Sequence, residues 1–231
     1  MRQIVLDTET TGLEPAQGHR LVELAALELR DRRRTGNHFH RYLNPDRDID
    51  AGALEKHGLH PEFLADKPRF SDVVAEFLEF VNGAELIIHN APFDIGFLNK
   101  ELSLVQRGPV ADYCPSVIDT LKMAKGLHPG KRNSLDALCE RYEIDNSRRV
   151  LHGALLDAEL LAEVYLAMTR GQENLMMDVA VAPIGGAAQS ARAGARSLRV
   201  VPADASECEA HESTLEAIDK SSKGKCLWRA L

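Results

Sequence analysis

The sequence predicts an α/β domain built on a mixed sheet, followed by a flexible C-terminal tail. Three observations carry that reading. Short apolar runs read as buried strands within the first ninety residues, and the first three are joined by connections short enough for antiparallel neighbours. Helical spacing of apolar residues dominates from residue 70 to residue 170. After Gly171 the chain turns to Ala, Gly, Pro, Gln and Ser with few large apolar residues, the composition of a linker.

Taken in order, Gln3-Ile4-Val5-Leu6 reads as a buried strand that ends at a turn-like Asp7-Thr8-Glu9-Thr10-Thr11-Gly12. Arg20 to Arg30 partly alternates through Leu21, Val22, Leu24, Leu27 and Leu29 and reads as a second strand. Asn37 to Leu43 is a third, with Phe39 between His38 and His40. Residues 70–82 place Phe70, Val73, Val74, Phe77, Leu78 and Val81 at helical spacing, and Glu85-Leu86-Ile87-Ile88 is another buried strand. Helices are expected near 92–105, 116–126 and 133–143, with a long one near 154–170. In the tail, Ser206 to Lys220 reads as one helix, and Trp228, the only tryptophan, stands near the end.

With 231 residues, 44% of them hydrophobic, the chain supports one domain of ordinary size plus an appendage. No apolar run approaches the ~20 residues of a membrane span. Met1-Arg2-Gln3 leads straight into strand-like sequence, which leaves no room for a signal peptide. The four cysteines form no CxxC pair and no zinc spacing; idle thiols in a reducing cytoplasm are the expectation. The net charge is −7, and residues 1–170 carry all but one unit of it. That balance argues against a long basic groove for duplex DNA. It leaves room for a small pocket that takes a chain terminus and uses metal ions as its positive charge.

Four acids and a histidine carry the chemistry. Asp7 and Glu9, two apart on a strand, project to one face, where a divalent cation would relieve their repulsion and oxygen ligands suit Mg²⁺ or Mn²⁺. A solvated strand end with a capping Asp would account for them equally well. Asp94 follows Pro92 at a helix start, a place where an acid is favourable whatever its function. His152 and Asp157 would diverge by about 140° on one continuous helix, so they converge only if His152 precedes the helix and Gly153 makes the bend. His38 and His40 share a strand face that a metal could use, although two surface residues are the simpler account.

Together, Asp7-x-Glu9, Asn90-x-x-Phe93-Asp94 and His152-x4-Asp157 resemble the three motifs of the DEDD exonuclease superfamily, histidine subtype, in order, spacing and context. Asp7 to Gly12, Gly130 to Leu138 and Leu151 to Asp157 are similar more closely to the epsilon family of proofreading subunits of bacterial DNA polymerase III. The resemblance runs through to Cys226-Leu227-Trp228-Arg229-Ala230. It implies a ribonuclease-H-like, mixed five-stranded sheet flanked by helices, and 3′-to-5′ removal of mispaired nucleotides as nucleoside 5′-monophosphates. It implies two divalent cations held by Asp7, Glu9 and Asp157, with Asp94 contributing directly or through water, and His152 as general base. Thr8 and His57 look like family contacts with the terminal nucleotide, while Leu13 is open to two readings, packing on the terminal base or lying in the core. The family commonly has a Glu five residues before that His, where this chain has Gly52.

The resemblance also implies an organisation and a set of partners. Residues 1–171 would be the exonuclease domain, 172–177 a peptide binding the sliding clamp through Gln172, Leu175 and Met177, 178–197 a flexible linker, and 198–231 a tail binding the polymerase alpha subunit. Met177 departs from the pattern, standing where an aromatic is usual. The location implied is the bacterial cytoplasm, at the replisome, and a small accessory subunit is left open. Two rivals remain at this level: an exonuclease of the same superfamily that trims RNA ends or oligoribonucleotides, and a non-catalytic scaffold, to which clustered carboxylates would bring nothing.

Overall fold

In a computed structural model, which describes residues 1–149, 151–170, 202–222 and 228, β1 (Arg2–Thr10) runs through the middle of a five-stranded sheet. On one side lie β2 (Leu21–Arg30) and then β3 (Arg33–Tyr42), each antiparallel to its neighbour. Two short helices follow, α1 (Ala51–His57) and α2 (Pro61–Leu64), then α3 (Phe70–Val81). On the other side of β1 lie β4 (Glu85–Ile88) and β5 (Ser116–Asp119), both parallel, with α4 (Ala91–Leu104) between them in sequence. The order across the sheet is β3-β2-β1-β4-β5. After β5 come α5 (Thr120–Leu127), α6 (Leu135–Arg141) and α7 (Ala154–Met168).

Alternation along β1 decides which layer each residue joins. Ile4 and Leu6 enter one core with Phe70, Phe77 and Val81 of α3 and Phe97, Leu98 and Leu102 of α4. Val5 points the other way, into a second core with Leu138 of α6 and Ala158, Leu161 and Val164 of α7. Truncating a buried aromatic such as Phe77 to Ala would cost about 3–5 kcal/mol, because the cavity adds to the lost transfer energy.

Four expectations about elements are corrected. β1 does not end at Leu6 but continues to Thr10, because β2 pairs with it from Arg2↔Arg30 as far as Thr10↔Leu21. β4, in contrast, meets β1 only at Gln3, Ile4 and Val5, so the far end of β1 has its β4 side open. β3 begins at Arg33, four residues before the expected Asn37; its first residues are exposed and polar, and a two-residue turn at Asp31 and Arg32, both at positive φ, sets their register. The helix expected over 116–126 starts only at Thr120. Asp119 Oδ1 accepts from the Leu121 and Lys122 amides and caps it, while Ser116–Asp119 pairs with β4. The short helices α1 and α2 were not anticipated. α1 stops at Gly58, where φ is +67° and an added Cβ would lie 2.7 Å from Leu151 Cδ1.

The chain divides into two units, Met1–Met177 and Asp178–Leu231. In the second, α8 (Ala205–Ser221) begins with a capping box between Asp204 and Glu207, close to the bounds expected; Trp228 is exposed. The expected clamp-binding residues Gln172, Leu175 and Met177 and the linker 178–197 lie outside the described residues. Among the described residues, no helix is long and apolar enough to cross a membrane.

Candidate active site

Where β4 stops pairing, the open end of β1 meets the starts of α4 and α7 and encloses a cavity of about 730 Å³. Asp7, Thr8, Glu9, Leu13, His57, Asp94, His152 and Asp157 all line it. Residues separated by up to 150 positions in sequence are therefore brought to one place by the sheet.

Each arrives for a local reason. Asp7 and Glu9 share the face of Val5, towards α7, while Thr8 points to the opposite layer, where its hydroxyl donates to Asp94 Oδ1 at 2.7 Å. That bond fixes Asp94, which is 3% exposed in the first turn of α4. The rest of the Asp7–Gly12 stretch builds the turn beyond the strand. Thr10 Oγ1 donates to the Gly12 carbonyl at 2.6 Å, Thr11 Oγ1 pairs with His19 Nδ1 at 3.0 Å, and a Cβ on Gly12 would strike the His19 ring at 2.3 Å. Leu13 emerges from this turn 68% exposed, which removes the core reading for it.

His152 precedes α7, and Gly153, in extended conformation at the N-cap, makes the bend. His152 Nδ1 then lies 3.3 Å from Asp157 Oδ2, so the pair converges. The His152 amide donates to the Lys56 carbonyl at 3.0 Å, tying this loop to the end of α1 and placing His57 beside it. His57 Nδ1 accepts from the Leu59 amide, which leaves the ring proton on Nε2; that atom is buried near the Thr10 backbone and makes no well-formed hydrogen bond. Gly52, where the family's Glu would stand, also lines the cavity, and an added Cβ there would meet nothing within 4 Å.

Three participants were not singled out from sequence. Arg149 lies in the cavity wall and grips Asp157 with Nε and Nη2. Asp136 of α6 accepts from Arg149 Nη1 at 2.6 Å. Glu23, 2% exposed on β2, accepts from the Ala154 amide and from His40 Nε2. A carboxylate among the apolar residues of β2, which also holds Glu28, was the visible signal for Glu23. Its pairing accounts for His40, while His38 is exposed.

The electrostatics show a site short of positive charge. Burial, then Asp94, Asp157 and Glu9, raise the Asp7 carboxyl well above its ordinary range. Burial, then Asp157 and Glu23, push Glu9 up to about 8. Burial lifts Asp94 to about 7 against the hydrogen bond from Thr8. Asp157 alone among the four is held below its usual value: burial acts to raise it, and the hydrogen bonds from Arg149, with His152 close beside it, outweigh that. Among the described residues, no lysine or arginine forms an ion pair with Asp7, Glu9 or Asp94. One group of three ligand atoms, from Glu9, His152 and Asp157, lies within 4.8 Å of one another. Carboxylates crowded this way, with raised proton affinity and oxygen donors, fit hard divalent cations.

Acidic residues on the open end of a central strand, joined by a histidine and an aspartate at the start of a helix, form a cluster of the kind that suits a metal-dependent hydrolase. The Exonuclease family model matches residues 4–165. DNA polymerase III subunit epsilon from Salmonella typhimurium is 53% identical over 238 residues, 99% of this chain and 98% of the relative, and that from Escherichia coli K12 is 52% identical over the same length. The chain thus belongs to the exonuclease family and, within it, to the family of DNA polymerase III epsilon subunits. Among solved structures, exonuclease X in complex with 5′-overhanging duplex DNA matches with a TM-score of 0.56 and 27% identity, over 72% of this chain and 90% of that one. Escherichia coli exonuclease I with single-stranded DNA, at 20% identity and a TM-score of 0.64 over 74% of this chain and 41% of that one, shares the fold.

Proposed function

We propose that this chain is the proofreading 3′–5′ exonuclease subunit of a bacterial replicative DNA polymerase III. In this reading it removes mispaired nucleotides from the primer end as nucleoside 5′-monophosphates. The observation that carries the reading is the meeting of Asp7, Glu9, Asp94, Asp157 and His152 in one cavity. The near-full-length likeness to polymerase III epsilon subunits favours it over an RNA-trimming enzyme of the same superfamily.

Asp7, Glu9 and Asp157 would hold two divalent cations, Mg²⁺ or Mn²⁺, with Asp94 contributing directly or through water. When bound, such ions lower the pKa of a water and steady the leaving 3′ oxygen. The chain's own residues do the rest. His152, half-exposed at the cavity, takes the water's proton as general base. Thr8 holds Asp94 in place through its hydroxyl. Leu13 offers an exposed apolar surface on which a terminal base can pack, and His57 lines the same cavity, within reach of the terminal nucleotide. The cavity admits a chain end rather than a long duplex, in keeping with the acidic balance of the domain.

Residues 1–171 act as the nuclease domain in this reading. Gln172, Leu175 and Met177 bind the sliding clamp, 178–197 form the linker, and 198–231 bind the polymerase alpha subunit, which places the protein at the replisome in the cytoplasm. The test compares Mg²⁺-dependent digestion of 5′-labelled matched DNA, 3′-mismatched DNA and RNA. The reading expects single-nucleotide ladders, faster from mismatched than from matched ends. RNA degraded as fast as DNA would favour the RNA-trimming alternative.

A further inference from the structure

Arg149 makes two parallel hydrogen bonds to Asp157, Nε to Oδ1 and Nη2 to Oδ2, the second at 2.7 Å. The same Nη2 lies 2.9 Å from His152 Nδ1. Arginine has only donors, so His152 Nδ1 is the acceptor there. The Arg149 side chain is 7% exposed, so these contacts are made largely out of water, where charge-assisted bonds are strongest. One guanidinium therefore occupies both oxygens of a residue assigned above as a metal ligand, and a lone pair of the residue assigned as base.

A cation that takes up Asp157 competes with the guanidinium for both of its oxygens and brings a second positive charge against it. We propose that Arg149 is the internal counter-ion of the metal-free site, standing where a divalent cation binds and giving way towards Asp136 as the metal enters. This rests on the metal-dependent reading of the site. Two features distinguish such a clasp from a fixed structural ion pair. Arg149 comes from the connection between α6 and α7 and not from a helix or strand, so its side chain can be re-aimed without breaking a regular element. Asp136 already accepts from Nη1 at 2.6 Å and is 55% exposed, so the guanidinium keeps a carboxylate partner after leaving Asp157. The arrangement protects Asp157 from standing as a lone buried charge before the metal arrives, and it holds His152 idle until then.

The consequence is a measurable penalty on metal affinity. If the clasp is closed in about 90% of metal-free molecules, the observed affinity is about tenfold weaker than that of the open site. The experiment is calorimetric titration of Mn²⁺ into the full-length protein without DNA, for wild type, Arg149→Gln and Arg149→Lys. Arg149→Gln should bind Mn²⁺ about tenfold more tightly than wild type. Arg149→Lys keeps the charge but cannot grip both oxygens, and should fall between the two. A wild type that binds Mn²⁺ while Arg149→Gln binds no more tightly overturns the clasp alone. A wild type that binds none overturns the metal-dependent reading with it. A second measurement needs no variant: in ¹⁵N-labelled wild type, the Arg149 Nε–H signal should lose its protection from solvent exchange as Mg²⁺ is added. Protection unchanged at saturating Mg²⁺ overturns the proposal.

Discussion

Glu23 Oε2 accepts the Ala154 amide proton at 3.0 Å, while its Oε1 accepts from His40 Nε2 at 2.7 Å. α7 has a glycine at its N-cap and so no capping side chain of its own; a buried carboxylate from β2, 131 residues away in sequence, takes that role. The capped turn separates His152 from Asp157. Glu23→Ala should therefore destabilise the protein by about 1–2 kcal/mol, the usual cost of a lost cap. It should also lower turnover, because both site residues hang on that turn. Glu23→Gln keeps an acceptor for the amide and should lose less of each. Denaturant unfolding that places Glu23→Ala level with wild type would remove the capping account.

The crowded carboxylates predict an unusual pH dependence for the metal-free protein. Glu9 titrates near 8 and Asp94 near 7 in the fold, against ordinary values of 4.5 and 3.8. Between those values the folded state binds more protons than the unfolded one, so stability falls as pH rises, and the loss is complete only above about pH 8. Glu28 acts in the opposite sense. Hydrogen bonds from Arg2 and then Asn37 hold it down to about 2, so its contribution is present above 4.5 and lost as pH falls towards 2. Melting temperatures in a chelator should thus be highest on the acid side of neutrality and decline towards pH 8, and added Mg²⁺ should flatten that decline. Asp7→Ala should abolish nuclease activity and yet melt no lower than wild type in chelator, since it removes a repelling charge. A chelated protein that grows more stable from pH 5 to pH 8 would contradict the electrostatic account.

Much of the site was legible because its chemistry sits in short motifs. Asp7 and Glu9 share a face by strand periodicity alone, and Gly153 marked the bend that lets His152 approach Asp157. What could not be read was whatever depends on pairing across long sequence distances. β1 continues to Thr10 because β2 lies beside it, and nothing within Asp7–Gly12 announces that partner. β5 has four residues and passes without a turn residue into α5, so local periodicity merged the two into one helix. Arg149 looked like one of two adjacent arginines near the end of the α6–α7 connection; only the fold shows which of them turns inward to Asp157. Thr10 and Thr11 fall within the acidic motif, yet their hydroxyls serve the turn that follows it.

His152→Ala should lower turnover by about 10²–10⁴-fold, the usual effect of losing a general base. The two assignments open to this histidine make different predictions for metal binding, because one of its nitrogens lies within 4.8 Å of ligand atoms of Glu9 and Asp157. A base that is not a ligand leaves Mn²⁺ affinity almost unchanged in calorimetry. Metal affinity lost together with activity would make His152 a ligand instead.

The chain's division into Met1–Met177 and Asp178–Leu231 supplies the last prediction. Among the described residues, all that line the active-site cavity and all that make up the two hydrophobic cores lie in the first unit. A chain cut near Pro183 should therefore fold, bind metal and digest single-stranded DNA at the full rate. It keeps Gln172, Leu175 and Met177 but loses α8 and Trp228, the exposed aromatic that suits an interface anchor. If the tail holds the polymerase, the cut chain should fail to co-elute with the cognate polymerase subunit, and proofreading within the complex should fall as the tether's effective concentration is lost. If residues 172–177 bind the clamp, the cut chain should still do so, and the double change Gln172→Ala/Leu175→Ala should weaken that contact without slowing digestion of free single strands. Polymerase binding retained by the cut chain would place the interface on residues 1–177, and loss of digestion would make the tail part of the nuclease itself.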